Sequence, residues 1–582
     1  MYSRVARVAR GASAPTLPAR LRHLPARAGA RRRPRGRKLT QHSMSRAPES
    51  TRWIARAARS KLLLGGLVAV VLVVGLVARI LECQEGLPYQ HHRDEQAIAA
   101  LSLNMVKTGD WNPHFFNYGT LPIYANALVD AAHYVWLCAQ PVARVTAMPT
   151  LDDIQTHFDT GYKWSFSHPS FLLWNRFLTA VMGAGTLLLT WLLAREVAGG
   201  WVGLAAIVLL AGLGFHVESS THIAPDMPAA FFVLLATLPS VIYLRDGRPR
   251  TLLLAFLACG LAAACKYNAG VVLAVPFGAL AVAAWTRGPG HRGWLWVAGF
   301  AAPLVVFVTC MPYAVLDFST FVKDLGRESF HYNVVGSTGH EVEPGWPAIV
   351  RQLVLFREHA SLPVLLVALA GVLPLLRHGK GRLLFVFPVL AFLLTTRTKI
   401  DFHRNYVAIY PFLSIAFGCG LALAVRAVRQ RAPAALASGA VALLVMGGMV
   451  HLSRAVNAGR DTWFTPETRT RAIDAVNRLA AERGWSLVAV SAELRVHEVD
   501  LSRLEVPHEI VRLRNFGASE GRFDAIVTAA SFSAPANASE DDKERAARLN
   551  RLQPRGTLLL EIEGEPQVFG VTKNPGVRIV AR

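Results

Sequence analysis

The chain has 582 residues, and its composition is that of a membrane protein rather than a series of soluble domains. Hydrophobic residues make up 52% of it, charged residues only 17%, and the mean hydropathy is +0.32. The net charge is +23, of which residues 1–60 carry +15, from fifteen Arg and one Lys against the single acid Glu49. A basic surplus confined to a tail beside an apolar segment is explained by membrane orientation, so no nucleic-acid partner is predicted. The six cysteines form no CxxC pair, which excludes a zinc finger or a disulfide scaffold.

The basic tail, residues 1–60, shows no hydrophobic periodicity and is predicted to be a disordered cytoplasmic segment. An Arg-rich, acid-poor start also resembles an organelle transit peptide, and Met44 is an alternative initiator. The apolar run Leu62–Leu81 that follows is long enough to cross a bilayer, which takes about 20 residues.

Apolar windows along the rest of the chain predict a polytopic α-helical membrane protein with about eleven transmembrane helices, in a range of ten to thirteen. After the first, the windows are Phe171–Leu193, Trp201–Val217, Met227–Leu244, Leu252–Ala264, Val271–Trp285, Trp294–Val315, Leu362–Leu376, Leu383–Thr395, Tyr406–Val425 and Ala434–Val450. With the tail inside, every even-numbered connection carries Arg or Lys, as the positive-inside rule requires. The transmembrane domain then covers residues 61–455, with a long first outer loop at 82–170, and residues 456–582 lie outside the cytoplasm.

One short outer loop is an exception to the charge rule. Its cations are Arg397, Lys399 and Arg404, on the side where topology disfavours positive charge. The planar fork of an Arg side chain binds a phosphate group through two hydrogen bonds. The loop therefore indicates either a phosphate on a membrane-embedded ligand or simple anchoring to lipid headgroups.

Two adjacent carboxylates, Asp94 and Glu95, stand about a dozen residues beyond the first predicted span. The outer loop that carries them is too polar to span and is predicted to hold short helices on the membrane surface, one of them at Leu121–Val142. Neighbouring carboxylates raise each other's proton affinity, and nearby cations lower it, so a general base near neutral pH can be built here. The alternative is a solvated helix start, where acids are favourable.

A third acid, Asp226, stands between Pro225 and Pro228 just before a predicted span, and either caps that helix or faces the first two carboxylates across a cavity. Lys266 is the only charged residue between Arg250 and Arg287. Such a lone cation at a helix end either snorkels to the membrane surface or holds an anion.

The outer loop at 316–361 combines Glu328, Tyr332 and His340 with several glycines. This composition is typical of a mobile flap over a site, and equally of an ordinary surface loop.

The region after residue 450 reads as soluble sequence. Helical spacing over Arg471–Arg483 ends at Gly484, and short apolar runs predict strands. The runs are Ser486–Val490, Glu509–Val511, Ala525–Val527, Thr557–Glu561 and Gln567–Val571. We expect a small extracytoplasmic α/β domain that binds the acceptor or packs on the outer loops.

Taken in order, these motifs resemble the phospholipid-carrier-dependent glycosyltransferases of the GT-C fold, the superfamily of protein O-mannosyltransferases and aminoarabinose transferases. The resemblance covers roughly residues 60–425. It rests on the Asp94-Glu95 pair, the stretch Leu103–Tyr118, the Pro225-Asp226 turn, Lys266-Tyr267-Asn268, Met311–Asp317 and Arg404–Pro411. The Arg-rich extension and the C-terminal region depart from the pattern.

The resemblance implies transfer of a sugar from a polyprenyl phosphate to an acceptor outside the cytoplasm, usually with inversion at the anomeric carbon. The acceptor is a protein, a lipid or a glycan. By the same likeness Asp94, beside Glu95, is the catalytic base, and Lys266 and Arg404 hold the leaving phosphate. The remaining substrate-binding candidates are Asp226, His340 and Tyr406, of which the first two alternatively bind a divalent ion.

No metal-ligand spacing is present, so no metal site is predicted, although His92, His114 and His222 lie on the outer face and a divalent ion stays an open alternative. Two other classes compete with the enzyme: a polytopic transporter and a non-catalytic scaffold with an outer binding domain. The transporter is disfavoured because the charged residues cluster at the outer ends of spans rather than at mid-membrane. The rich use of Ala, Arg, Gly and Val favours a bacterial inner membrane.

Overall fold

The computed structural model describes residues 49–89, 92–139, 169–288, 293–336, 340–431 and, with short gaps, 450–581. The chain divides into two units, Met1–Arg59 and Ser60–Arg582. Most of the tail predicted to be disordered, residues 1–48, and nearly all of the predicted span Ala434–Val450 lie outside the described residues. The end of that tail, residues 49–60, belongs instead to the helix Glu49–Glu82.

Each predicted span inside the described residues overlaps a helix, although three of the helices are shorter than predicted: Trp201–Val217 is interrupted at Leu213, Trp294–Val315 after Cys310, and Leu383–Thr395 before Val386. The helices that overlap predicted spans are Glu49–Glu82, Pro169–Val197, Gly200–Gly212, Asp226–Asp246, Pro249–Cys265, Ala274–Arg287, Trp294–Cys310, Leu362–Leu376, Val386–Thr395 and Tyr410–Arg431. Within the described part, five segments are long and apolar enough to cross a membrane alone: Ser60–Glu82, Ser170–Val197, Asp226–Asp246, Tyr267–Arg287 and His403–Gln430. A sixth crossing is added if Trp346–Ala360 and Leu362–Leu376, which meet at a 108° bend, count as one span. The membrane character is confirmed, whereas the count of eleven stays a prediction.

Small residues let the helices of the membrane region approach closely. A Cβ on Gly371 would lie 1.9 Å from the carbonyl oxygen of Ala416, and one on Gly420 would lie 1.8 Å from that of Val367. The helices Leu362–Leu376 and Tyr410–Arg431 are therefore in backbone contact, a common way of packing where lipid removes the hydrophobic drive. This contact fixes the helix that directly follows the cationic outer loop.

The first outer loop forms two packed helices, Arg93–Thr108 and Leu121–Cys138. The second lies where the sequence predicted a surface helix. Ile98, Leu103 and Ile123 are buried between them and against Phe171 at the start of the next span. This apolar contact ties the start of the Arg93–Thr108 helix, where Asp94 and Glu95 lie, to the membrane helices.

The remaining helices of the outer segments are Gly214–Ser219, Tyr313–Leu316, Phe318–Phe330 and Trp346–Ala360, and Gly379–Leu383 joins two apolar helices. The Phe318–Phe330 helix is amphipathic. Phe318 and Val322 are exposed on one side, while Asp324 is buried on the other and accepts a hydrogen bond from the backbone N–H of Phe116 at 3.0 Å. The predicted flap, 316–361, thus contains a helix with one face turned to the first outer loop.

In the C-terminal region a helix precedes a set of strands, and the helices Glu498–Leu501 and Glu540–Arg551 lie between strands. The helix Thr468–Arg483 ends at Gly484, whose φ of 66° suits glycine, as the sequence predicted. The strands are β1 Val488–Ser491, β2 His508–Val511, β3 Ala525–Ala529, β4 Phe532–Ser533, β5 Thr557–Ile562, β6 Gln567–Val568 and β7 Val577–Ala581. Five of them form a sheet in the order β2-β1-β3-β7-β5, with β7 antiparallel to both neighbours, and β4 pairs with β6.

Candidate active site

Asp94 lies in the first turn of the Arg93–Thr108 helix and is almost completely buried, with 4% of its surface exposed. The Tyr118 hydroxyl donates to its Oδ1 at 2.6 Å, and the Arg404 guanidinium lies 3.1 Å from its Oδ2. Burial alone would raise the pKa of Asp94, but Arg404, His92 and the Tyr118 hydrogen bond together hold that pKa below its ordinary value. The carboxylate is therefore ionised at neutral pH.

A second carboxylate and cation lie beside the first. Lys266, just after the Pro249–Cys265 helix, donates from Nζ to Asp226 Oδ1 and to Asn405 Oδ1, each at 2.6 Å. Asp226 begins its helix but makes no capping bond, and within the described part of the chain its buried Oδ2 has no hydrogen-bond partner. The structure therefore favours a charge cluster over the capping and snorkelling alternatives.

Because Asn405 directly follows Arg404, the two ion pairs form one cluster, called here the carboxylate–cation cluster: Asp94, Asp226, Lys266 and Arg404. Its members come from the first outer loop, the start of one apolar helix, the end of another and the cationic loop. The sequence prediction required these residues to share one side of the membrane, and their direct contacts place them there together.

The predicted flap contributes Glu328 and Tyr332 to the surroundings of this cluster. Glu328 Oε2 accepts a hydrogen bond from Asn117 Nδ2 at 3.2 Å, next to Tyr118. Burial, and then the negative charge of Asp94, raise the pKa of Glu328 to about 7. Burial also raises the pKa of Tyr332, which keeps its phenol neutral. A carboxyl with a raised pKa beside one with a lowered pKa is an arrangement found in acid–base sites.

Glu95, predicted together with Asp94 as a catalytic residue, has a different environment. It is fully buried, and its Oε1 and Oε2 accept from Arg176 Nε and a terminal nitrogen at 2.6 and 2.7 Å. Arg176 also donates to the carbonyl oxygens of Cys83 and Glu85. Burial would raise the pKa of Glu95, but Arg176 lowers it to about 2. We infer a structural role for Glu95 in place of the catalytic one.

Replacing Glu95 by Gln is expected to lower the free energy of unfolding by about 3 kcal/mol, because Arg176 would be left buried without a counter-charge. Since the pKa of Glu95 lies below its ordinary 4.5, the ion pair stabilises fully above about pH 4.5 and is lost as the pH falls towards 2. Thermal unfolding in detergent measures this. Glu509→Gln, in the exposed ion pair with Arg522, is the control and should change stability by less than about 1 kcal/mol. An unshifted transition with lost activity would restore the catalytic role.

Tyr406, predicted to bind substrate, is fully buried and donates its hydroxyl to Asp401 Oδ1 at 2.9 Å. Asp401 Oδ2 accepts from Gln352 Nε2 at 2.6 Å, so the amide oxygen of Gln352 faces His403 Nδ1, also 2.6 Å away. His403 Nδ1 must then carry the proton, and Nε2 accepts from the Tyr410 hydroxyl at 2.7 Å. This buried chain of hydrogen bonds holds the loop that presents Arg404. Tyr406 therefore stabilises the loop that carries Arg404 and does not line the carboxylate–cation cluster.

His340, the other predicted substrate residue, is exposed, and its ring centroid lies 4.5 Å from that of Phe402. Its carbonyl oxygen accepts from the backbone N–H of Asp401 at 3.0 Å. These contacts attach the flap to the cationic loop.

The three histidines named as metal candidates do not form one group. The rings of His92 and His222 are 5.2 Å apart, whereas His114 contacts Asp110 and Asp317. Among the described residues, no set of three or more His, Cys, Asp or Glu side chains is placed to hold a metal ion.

Sequence reasoning did not assign roles to Tyr118, Asn405, Arg176 or Gln352. Tyr118 and Asn405 lie within the sequence motifs that carry the family resemblance. The sequence therefore indicated their positions but not their roles. Arg176 carried a stronger one, since it is a lone Arg within an apolar window and such a residue marks a buried ion pair or a site. Gln352 has no sequence signal, because its importance arises from contacts across more than 45 residues.

Apolar helices with a carboxylate–cation cluster at their ends define a membrane protein. Residues 173–313 match a family model described as dolichyl-phosphate-mannose-protein mannosyltransferase. This match confirms the resemblance to the GT-C glycosyltransferases that the motifs indicated. It includes Asp226 and Lys266 and leaves Asp94 and Arg404 outside.

Several solved structures are similar to this chain. ArnT from Cupriavidus metallidurans, in the apo state, has 13% sequence identity and a TM-score of 0.45, with 90% of this chain and 98% of that chain covered. The apo oligosaccharyltransferase of Archaeoglobus fulgidus has 11% identity and a TM-score of 0.49, with coverages of 80% and 69%. The donor-bound Pmt1-Pmt2 protein O-mannosyltransferase of S. cerevisiae has 18% identity and a TM-score of 0.32, with coverages of 44% and 34%. No curated protein matches the sequence.

Proposed function

We propose that the protein is a membrane glycosyltransferase that moves a sugar from a polyprenyl-phosphate donor to an acceptor on the extracytoplasmic face, with inversion at the anomeric carbon. The observation that carries the proposal is the contact of Asp94 with Arg404 beside the Lys266–Asp226 pair. This contact supports the proposal because a carboxylate that can accept a proton lies in one cluster with two cations suited to bind phosphate. The family match over the adjoining helices supports the same class of reaction.

In this reaction Asp94 takes the proton of the acceptor hydroxyl while the hydroxyl oxygen bonds to the anomeric carbon. The bond from that carbon to the phosphate oxygen breaks, and its electron pair leaves with the phosphate. Arg404 and Lys266 stabilise the negative charge that grows there. As Arg404 turns to the phosphate, the pKa of Asp94 rises, because its strongest opposing cation is withdrawn. Donor binding thus makes Asp94 a better base.

Asp226 is suited to orient the sugar. Its Oδ1 is taken by Lys266, but its buried Oδ2 has no partner among the described residues. An unpaired buried acceptor is unfavourable by about 1–3 kcal/mol, and a sugar hydroxyl that donates to it would remove this penalty. Lys266 therefore binds the phosphate end of the sugar phosphate, and the unpaired Oδ2 of Asp226 binds its sugar end.

The donor KM is expected to rise by about fivefold between pH 6 and pH 8, because Glu328, with a pKa of about 7, gains a negative charge that repels the phosphate. Below pH 7 Glu328 is neutral. Asp94 raises its pKa, while Lys266, Arg404 and the hydrogen bond from Asn117 lower it. Initial rates at several donor concentrations measure the effect, and Glu328→Gln should flatten it. A KM that still rises in Glu328→Gln assigns the titration to another group.

The direct test of the proposal is incubation of the purified protein in proteoliposomes with radiolabelled polyprenyl-phosphate sugars. We expect the wild-type protein to transfer label from the lipid donor to protein, lipid or glycan acceptors. With the Asp94→Asn protein, the label should stay on the lipid donor. Label that stays on the lipid with every acceptor contradicts the proposal. Label that crosses the membrane unchanged would instead support the transporter.

A further inference from the structure

Tyr89, an aromatic side chain in the segment that leads to Asp94, contacts the C-terminal region. Tyr89 is 5% exposed, and its hydroxyl donates to Asp500 Oδ2 at 2.7 Å. The backbone N–H of His497 donates back to the same hydroxyl at 3.3 Å. Both polar partners belong to the C-terminal region, more than 400 residues away.

The ring of Tyr89 is held as firmly as its hydroxyl. The guanidinium carbon of Arg469 lies 3.6 Å from the ring centroid, within the range of a cation–π contact. Arg469 is itself buried and is fixed by Glu467 Oε1 at 2.7 Å and by the carbonyl oxygen of Thr572 at 3.0 Å.

Thr470 completes the arrangement by donating to Asp500 Oδ2 at 2.8 Å, the oxygen that Tyr89 also uses. We call Arg469, Thr470, His497 and Asp500 the tyrosine socket. Its charged members are ordered by contacts within the C-terminal region itself. The order of these side chains therefore does not depend on Tyr89, and the socket is preorganised to bind it.

Tyr89 precedes Asp94 by five residues, and an extended chain of that length spans about 17 Å at most. On the other side of this segment, Glu95 is fixed to the membrane helices by Arg176. The start of the Arg93–Thr108 helix is therefore held from two sides, by a membrane span and by the tyrosine socket. A shift of Asp94 would have to disturb one of these attachments.

We propose that the C-terminal α/β region is part of the catalytic unit, with Tyr89 as a positioning residue through which the tyrosine socket sets the place of Asp94. The inference rests on the proposed function, in which Asp94 is the base. It gives the C-terminal region a role in the rate of the chemical step rather than in acceptor binding alone. It also places this region on the same side of the membrane as the carboxylate–cation cluster, as the topology predicted.

The test compares the full-length protein in nanodiscs with its Tyr89→Phe and Tyr89→Leu variants. Tyr89→Phe keeps the ring on Arg469 and loses the hydroxyl, and Tyr89→Leu loses both contacts. We expect kcat for sugar transfer to fall about fivefold and about fiftyfold, with the donor KM changed less than about twofold, since small displacements of a reacting group are costly. Hydrogen–deuterium exchange should quicken in the first two turns of the Arg93–Thr108 helix in the same order.

Tyr124→Phe is the matched control. Tyr124 lies in the same outer loop, and its hydroxyl donates to the carbonyl oxygen of Trp111 at 3.1 Å, away from the C-terminal region. Its kcat and its exchange over residues 93–108 should equal those of the wild type. An equal loss of activity in this variant would overturn the positioning role, because any Tyr in the loop would then have the same effect.

Failure of the positioning role is distinguishable from failure of the proposed function. Unchanged exchange at the Arg93–Thr108 helix in Tyr89→Leu overturns the tyrosine socket as a positioning device, whatever the activity. Faster exchange with unchanged kcat overturns its link to catalysis. If the wild type transfers no sugar, the proposed function fails, and the exchange measurement alone decides whether the socket holds the helix.

Discussion

Asp94→Asn is expected to lower the rate of sugar transfer about 10³-fold while the protein still folds and inserts. An amide of the same shape cannot accept the proton of the attacking hydroxyl, and general-base catalysis contributes about 10²–10⁴ in rate. The Tyr118 hydroxyl can still donate to the amide oxygen, whereas the ion pair with Arg404 is lost, which is why folding is measured separately. The transfer of label from a polyprenyl-phosphate sugar measures the effect, and membrane abundance and thermal unfolding report on folding.

Asp110→Asn is the control for this substitution. Asp110 lies exposed in the same outer loop, pairs with His114 at 3.1 Å and is outside the carboxylate–cation cluster. Its transfer rate should stay within about twofold of the wild type, since surface ion pairs contribute little. If Asp94→Asn keeps a tenth or more of the rate, Asp94 is not the base, and Glu328 becomes the next residue to test.

The sequence predicted the carboxylate–cation cluster well because its members are rare charges at the ends of apolar segments. Lys266 is the only charged residue between Arg250 and Arg287, Asp226 directly precedes an apolar segment, and Arg404 breaks the positive-inside rule. Topology then placed them on one side of the membrane, together with Asp94. Only the structure shows the contacts between them, because topology assigns each residue to one side of the membrane but does not give its position on that side.

The sequence could not show which of Asp94 and Glu95 lies in the candidate site and which forms a structural ion pair. Successive residues of a helix point about 100° apart, so one of the pair reaches the site and the other reaches Arg176. The direction of each depends on how the helix is rotated, and that is set by the packing of Ile98 and Leu103. Tyr406 shows the same limit, because a residue inside a functional motif can face inwards and support its neighbours.

The fold was predictable where hydropathy alone decides it. Apolar windows located the helices, but hydropathy does not report the 108° bend between Trp346–Ala360 and Leu362–Leu376. In the C-terminal region the strand Val577–Ala581 was not predicted, although it lies between two others in the sheet. Its place is set by pairing with Ala525–Ala529 and Thr557–Ile562, which are distant in sequence. Long-range pairing of this kind leaves little local signal.

Arg404→Met is expected to lower kcat/KM for the lipid-linked donor about 10²–10³-fold. The substitution removes a cation from the leaving phosphate, an electrostatic contribution of that size in comparable sites. It also removes the strongest influence that lowers the pKa of Asp94, so that pKa should rise and the acidic limb of the pH–rate profile should move to higher pH. Arg404→Lys keeps the charge without the planar fork and should give an intermediate loss of about tenfold. Steady-state rates at varied donor concentration and pH measure both effects.

Arg397→Met separates phosphate binding from anchoring to lipid headgroups. Arg397 is exposed in the same loop, and the two substitutions remove the same charge from the same side of the membrane. If Arg404 acts on the donor phosphate, Arg397→Met should leave kcat/KM within about twofold of the wild type. If both cations only bind headgroups, the two variants should lose activity equally, and anionic lipid in the vesicles should change both in parallel. A shifted pH limb in Arg404→Met alone would tie this Arg to Asp94, because headgroup contacts have no reason to alter the protonation of a buried carboxylate.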